Sequence, residues 1–161
     1  MRIKGVVSED FVNYKLPSMY ISTATCDFKC EKESGIQCCQ NSQLAKMPTK
    51  EISDINLIEH YLGNDITKAI VIGGLEPFDQ FDEVCEFLIK LRRQYHCDDP
   101  VVIYTGYNKT EISSALKTLK RFKISNIIVK FGRFIPNQQK HFDPVLGVEL
   151  ASDNQYAEHV C

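Results

Sequence analysis

The sequence predicts a single α/β domain over residues 1–161, built as an open or partial barrel of mostly parallel strands. Three observations carry this expectation. Short apolar runs alternate with stretches of helical periodicity through the middle of the chain. Each apolar run ends in a polar or glycine-rich turn. The runs number about four or five, too few to close a barrel of eight.

Met19 to Thr23 is a short apolar strand leading into Cys26. Glu51 to Leu62 carries Ile55, Ile58 and Leu62, a helical stripe. Lys68 to Ile72 is a compact strand ending at Gly73-Gly74. Phe81, Val84, Cys85, Leu88 and Ile89 follow an i, i+3, i+4, i+7, i+8 pattern, the face of an amphipathic helix. Val101 to Tyr104 is the next strand and ends at Thr105-Gly106. Asn108 and Glu111 have the spacing of a helix N-cap and its reciprocal partner, and Ile112, Ala115, Leu116 and Leu119 form one apolar face behind them. Asn126 to Lys130 is a further strand, ending at Phe131-Gly132. Such alternation implies parallel strands joined by right-handed crossovers. The cysteine-bearing loop after Thr23, Gly73-Gly74, Tyr104 to Tyr107 and Phe131 to Arg133 then share one sheet edge, where α/β folds bind ligands. The open side needs covering by the C-terminal tail (about residues 137–161), by a partner, or by both. That tail is polar and broken by Asp143-Pro144 and Gly147, and reads either as a lid or docking segment or as surface covering.

The net charge of −2 gives a nucleic-acid backbone no basic face to meet. No apolar run approaches the length of a membrane helix, and Met1-Arg2-Ile3-Lys4-Gly5 lacks the character of a signal peptide. The expectation is a cytoplasmic protein without nucleic-acid or membrane partners. Seven cysteines, an odd number with four crowded together, do not fit a disulfide framework. Cys85 and Cys97 read as buried thiols, and Cys161 as a mobile end. His60, His96, His141 and His159 are scattered without metal-ligand spacing.

The crowded cysteines are Cys26, Cys30, Cys38 and Cys39, all in the loop 26–39. Thiolates at this density point to a metal centre. Zinc held by four sulfurs would be a structural staple; an iron–sulfur cluster held by three would leave one iron open. Spacing alone leaves zinc, a cluster and inert thiols all open, although Cys-x3-Cys and an adjacent pair suit a zinc knuckle poorly. Downstream, Gly73-Gly74-Leu75-Glu76-Pro77 places two glycines and a carboxylate directly after a strand. The glycines allow close backbone approach, and Glu76 can accept hydrogen bonds from a cationic amine.

With these motifs together, the chain resembles the radical S-adenosylmethionine (SAM) family, and within it the short activating proteins of anaerobic ribonucleotide reductase. Asp10 to Ile21 is similar to that family's opening strand. Cys26-Asp27-Phe28-Lys29-Cys30 with Cys39-Gln40-Asn41-Ser42 is similar to its cluster loop, and Gly73 to Pro77 to its SAM-amine motif. Tyr104 to Tyr107, Gly132-Arg133-Phe134 and Leu150 to Ala157 resemble its remaining strand edges and ending. The loop departs from the usual Cys-x3-Cys-x2-Cys spacing, since the favoured third cysteine, Cys39, gives a gap of eight and Cys38 would give seven. The aromatic residue usual before the third cysteine is absent, and Phe28 either packs beside the cluster or fills the loop.

The resemblance implies a radical-SAM-type partial barrel in which Cys26, Cys30 and Cys39 hold a 4Fe-4S cluster. It implies that Gly73, Gly74 and Glu76 orient the SAM amine, with Thr105 and Tyr107, beside Tyr104, lining the SAM pocket. Lys130 and Arg133 would meet the SAM carboxylate or a partner. One electron from the cluster would cleave SAM to methionine and a 5′-deoxyadenosyl radical, which would take a hydrogen atom from a glycine of the partner reductase. Flavodoxin or ferredoxin is the kind of electron donor implied. A radical SAM enzyme acting on a small molecule and a non-enzymatic zinc-stapled binding module are the competing expectations.

Overall fold

The computed structural model describes residues 1–161. In chain order the elements are β1 (Arg2–Asp10), β2 (Ser18–Thr23), α1 (Lys29–Ser34), α2 (Ser42–Lys46), β3 (Lys50–Glu51), α3 (Asp54–Leu62), β4 (Ala69–Gly74), α4 (Phe81–Ile89), β5 (Val101–Tyr104), α5 (Ser113–Arg121), β6 (Ile127–Phe131), β7 (His141–Asp143), β8 (Val148–Leu150) and β9 (Tyr156–His159). A 3-10 turn, Pro77–Gln80, leads into α4, and a π-helical segment, Lys90–Gln94, continues it.

Seven strands form one sheet in the order β3-β1-β2-β4-β5-β6-β9, and β7 and β8 make a separate hairpin. The centre, β2-β4-β5-β6, is parallel. The flanks are antiparallel: β1 pairs with β2 and β3, and β9 with β6. The sheet thus has the expected parallel strands at its centre and is mixed at its flanks, and it is open, with β3 and β9 at its two edges. The stretch Asp10 to Ile21 is not one opening strand. It comprises the end of β1, a loop, and the start of β2.

The parallel strands follow one another in sequence order, so crossovers of one hand place their helices on one face. That face holds the larger core, where Ile70, Ile72, Ile103 and Val129 meet Leu57 and Ile58 of α3, Val84 and Leu88 of α4, and Leu116 and Leu119 of α5. Alternation sends Ala69, Val71, Val102 and Ile128 to the opposite face. There a smaller core is closed by Tyr14, Leu146, Leu150 and Ala157, from the β1–β2 loop, the hairpin and β9. The tail therefore forms part of the wall: Asp143 Oδ1 accepts from the Val145 and Leu146 N–H groups, and its Oδ2 accepts from the Ala157 N–H at 2.9 Å. Cys161 is tied down rather than mobile, with its carbonyl accepting from the Ile127 N–H at 3.1 Å.

Two helices differ in detail from expectation. In α3 the inward face is Asp54, Leu57, Ile58 and Tyr61, whereas Ile55 and Leu62 are 44% and 46% exposed. The helix starts later than the apolar pattern suggested, at Asp54, because Ser53 caps it by accepting from the Asn56 N–H. Asp54 can face inward because Lys90 reaches it at 2.6 Å. Before α5, Asn108 and Glu111 form the expected reciprocal cap: Oδ1 accepts from the Glu111 N–H at 3.1 Å and Glu111 Oε2 from the Asn108 N–H at 2.8 Å. Regular helix begins only at Ser113. Each fully buried Leu or Ile adds about 1.5–3 kcal/mol, which anchors α3. By contrast α1 and α2, in the cysteine-bearing crossover, bury no residue at all. Their placement depends on polar tethers.

Candidate iron–sulfur centre and cofactor cavity

Parallel pairing brings the C-terminal ends of β2, β4, β5 and β6 to one side. On the hairpin face above those ends lies a cavity of about 330 Å³, within the size range of small-ligand sites. Cys26, Cys30 and Cys39 line one side, and Gly74, Leu75 and Glu76 line another. Thr105, Lys130 and Gln155 belong to its polar lining. Cys38 does not line it. Its thiol turns back within 3.3 Å of Ser34 Oγ and 3.6 Å of the Cys30 carbonyl.

The incoming arm of the loop is fixed by Gln80, a residue with no local sequence signal. Its Oε1 accepts from the Ala24 N–H (2.8 Å), the Thr25 N–H (3.2 Å) and Thr25 Oγ1 (2.8 Å), while Nε2 donates to the Arg2 carbonyl at 2.8 Å. The Glu76 N–H adds a bond to the Thr25 carbonyl at 2.7 Å. Entry into α1 forces Phe28 to φ 56°, a left-handed conformation uncommon for a bulky residue. In that turn its N–H meets Cys26 Sγ at 3.3 Å. Phe28 fills the loop and is not part of the cavity lining. On the return arm, the Cys39 N–H donates to Glu31 Oε1 at 3.2 Å and Asn41 Nδ2 donates to the Gly74 carbonyl at 2.5 Å.

The thiols raise one another's cost of ionisation. Burial first, then neighbouring Cys39, Cys38 and Cys26, pushes Cys30 up to about 12. Burial is also the main cause that lifts Cys26 to about 11. Cys26 and Cys30 stay protonated on their own and give up their protons only to bound cations on becoming thiolate ligands. No three of the four sulfurs lie within 4.8 Å of one another, whereas tetrahedral zinc at Zn–S ~2.3 Å would hold its sulfurs roughly 3.8 Å apart. A different donor group, Cys26 with Asp27 and Asp79, does lie within that distance. Asp79, however, is occupied: Oδ1 accepts from the Tyr107 hydroxyl and Oδ2 from the Asp27 N–H.

The strand after-turns show why glycine is required there. Gly73 has the same strand parity as Val71, on the cavity face, and a Cβ there would sit 2.8 Å from Tyr20 Oη and 3.2 Å from Tyr104 Cβ. Gly74, at φ +82°, would meet Leu44 and Ser22 at 2.9 Å. Glu76 is buried with its carboxylate held open-handed: Oε1 accepts from Thr105 Oγ1 (2.7 Å) and the Phe78 N–H (3.1 Å), and Oε2 from the Gly106 N–H (2.9 Å). Three bonds leave room for one more donor on Oε2. Burial outweighs these bonds and pushes Glu76 up to about 7. Across the cavity, burial lowers Lys130 to about 8, opposed by the charge of Glu76. Its ammonium donates to the Gly132 carbonyl at 2.9 Å.

Not every expected residue reaches the cavity. Tyr107 faces a groove between α4 and α5 instead, because its N–H bonds back to Thr105 Oγ1 and its hydroxyl to Asp79. Its ring lies under Lys29 at 4.2 Å and Arg133 at 5.4 Å. Arg133 lines the cavity, but its guanidinium is committed to Glu111 at 2.6 and 2.9 Å and to Glu33 of α1 at 3.3 Å. The Arg133 hydrogen bonds hold Glu111 down at about 2. Sequence reasoning missed Gln80 and also Gln155, whose amide closes the far wall by accepting from the Ala151 and Ser152 N–H groups and donating to the Gly132 carbonyl.

An α/β domain that gathers three cysteines over a glycine-rich strand edge is, as a class, suited to carry an iron–sulfur centre. A family model described as a 4Fe-4S single cluster domain matches residues 18–155, nearly the whole chain. The chain belongs to that family and is an iron–sulfur protein. No curated protein and no solved structure gives a match. No helix is long and apolar enough to cross a membrane.

Proposed function

We propose that this protein is a radical SAM activase that installs a glycyl radical on an anaerobic ribonucleotide reductase. The observation that carries the proposal is the facing of Cys26, Cys30 and Cys39 toward the same cavity as Gly74 and Glu76, with Cys38 turned away. Three thiolates, not four, suit a 4Fe-4S cluster with one iron left for a ligand.

The residues present fit both groups. Cys26, Cys30 and Cys39 would hold the cluster, and the three sulfurs supply the soft anionic donors it needs. Glu76, with one acceptor position spare, would take the ammonium of SAM. Gly73, which is not itself in the cavity lining, lets Tyr20 and Tyr104 pack closely over the strand, and Gly74 lets the backbone turn toward the ligand. Thr105 holds the Glu76 carboxylate in place. Lys130 adds a buried cation to the cavity lining. The cluster and SAM together supply one-electron cleavage of the sulfonium carbon–sulfur bond and hence a carbon radical able to abstract hydrogen. The buried part of the lining, Glu76, Thr105, Lys130 and Gln155, would keep water away from one side of that chemistry. A protein substrate is supported by the exposed Val12 on the cavity rim, which offers apolar contact to an incoming polypeptide. Flavodoxin or ferredoxin would deliver the electron.

The test is anaerobic reconstitution with iron and sulfide, reduction, and addition of SAM with a matching reductase. The expected result is 5′-deoxyadenosine together with a glycyl radical signal in electron paramagnetic resonance. Cleavage of SAM without that signal, across well-matched reductases, overturns the activase assignment, and a zinc-loaded protein inert toward SAM overturns the radical chemistry.

A further inference from the structure

We propose that Lys4 is a positioning residue for the cluster: its buried ammonium ties the return arm of the cysteine loop to β1 and thereby sets where Cys39 sits. The inference rests on the cluster assignment proposed above. Lys4 is 7% exposed. Its Nζ donates to the Met47 carbonyl at 2.6 Å and the Ala45 carbonyl at 3.1 Å. Both carbonyls lie at the C-terminal end of α2, where unpaired carbonyls carry partial negative charge and favour a cation.

Beyond the pairing of β3 with β1 at Lys50 and Glu51, the arm has little else to hold it. A five-residue helix is far too short to be stable alone, and α2 buries no side chain. Its N-terminal side is pinned by the bond from Asn41 to the Gly74 carbonyl and by Leu44 against Gly74. Lys4 pins the other end, from a strand 41 to 43 residues away in sequence. Cys39 lies two residues before Asn41, on the segment between these pins and Glu31. The opposite arm, carrying Cys26, is braced to the same strand by Gln80 through the Arg2 carbonyl. β1 thus acts as a common rail for both arms, and Lys4 is its contact with the third thiol's side.

The experiment compares wild type with Lys4→Met, which keeps the aliphatic stem and removes the donors, and Lys4→Arg, which restores them. Hydrogen exchange on the metal-free protein reads the arm without needing a cluster: Lys4→Met should speed exchange across residues 38–47 about tenfold or more, the scale of one charge-assisted hydrogen bond, and leave β4 to β6 protected. On reconstituted protein, Lys4→Met should lose iron to a chelator faster and broaden the reduced-cluster resonance. Lys4→Arg should return both toward wild type. Unchanged exchange in residues 38–47 overturns the tether. Faster exchange with wild-type iron retention and resonance overturns the positioning role. Wild type that takes up no cluster, with the exchange difference intact, leaves the tether standing and removes the cluster assignment and the positioning role with it.

Discussion

The buried carboxylate of Glu76 gives the cavity a pH signature that can be measured without any cofactor. The perturbation is Glu76→Gln, and the observable is the difference in unfolding free energy between wild type and variant from pH 5 to 8. Burial raises the carboxyl from an ordinary 4.5 to about 7. The folded state therefore holds the proton longer than the unfolded chain does. Its contribution to stability is fully present below about 4.5 and is lost as pH rises through about 7. At about 1.4 kcal/mol per pH unit, that displacement corresponds to about 3 kcal/mol lost in wild type and not in the variant. Glutamine changes the absolute stability too, because its amide must face the Gly106 N–H or the Thr105 hydroxyl, but that offset does not titrate. Glu111, held at about 2, loses its contribution only in acid. Lys130, lowered to about 8 against the raising charge of Glu76, drops further in Glu76→Gln, so any stability it recovers near pH 8 comes in the variant and widens the same difference. Urea titrations of the metal-free protein at five or so pH values supply the measurement. A difference that stays flat within about 1 kcal/mol from pH 5 to 8 refutes the reasoning. Because an ammonium ligand needs the charged carboxylate, its binding should strengthen over the same interval.

Cys26→Ala, Cys30→Ala and Cys39→Ala should each abolish iron and sulfide retention after anaerobic reconstitution, whereas Cys38→Ala should keep both; retention by Cys39→Ala and loss in Cys38→Ala would reverse the choice of third ligand. Gly74→Ala should cost about 2–4 kcal/mol in urea unfolding, from its positive φ and the contacts at 2.9 Å with Leu44 and Ser22. Gln80→Ala should cost about 2 kcal/mol by stranding the Ala24 and Thr25 N–H groups, and Gln80→Glu should not recover that loss in the same measurement, because its carboxylate keeps the acceptor but faces the Arg2 carbonyl that the wild-type amide donates to.

The parallel centre of the sheet was legible because β4, β5 and β6 are buried on both faces and so read as near-continuous apolar runs, broken in β6 only by Lys130. Once those strands are parallel, the convergence of the loop cysteines, Gly74, Glu76, Thr105 and Lys130 follows from topology alone. The flanking strands gave no such signal. β1 mixes Lys4 and Val7 with Ser8 and Glu9, and only its pairing with β2 makes it a strand. In α3 the stripe of isoleucines competed with Leu57 and Tyr61, and a buried Asp54 decided the rotation through a lysine 36 residues away. The resemblance puts Tyr107 in the pocket lining, but the turn at Thr105 aims it to the other side.

The deeper limit lies in the cysteine loop itself. Its residues announce the metal plainly, yet the loop buries no side chain in either of its helices, so nothing local dictates its shape. The shape is set by Lys4, Gln80 and Glu76, polar groups between 41 and 56 residues distant from the backbone atoms they hold. Such residues satisfy buried hydrogen bonds at long range and follow neither a period of 2 nor one of 3.6. A metal loop built this way can keep its donors in place before any metal arrives, because the sheet edge, rather than the metal, bears the cost of ordering it. That distinguishes it from a zinc-stapled module, whose loop orders on metal binding, and it predicts that the segment 24–47 of the metal-free protein retains slow hydrogen exchange at Thr25 and Cys39. Exchange there at the rate of unstructured chain, in protein whose β4 to β6 remain protected, would mean that the metal orders the loop after all.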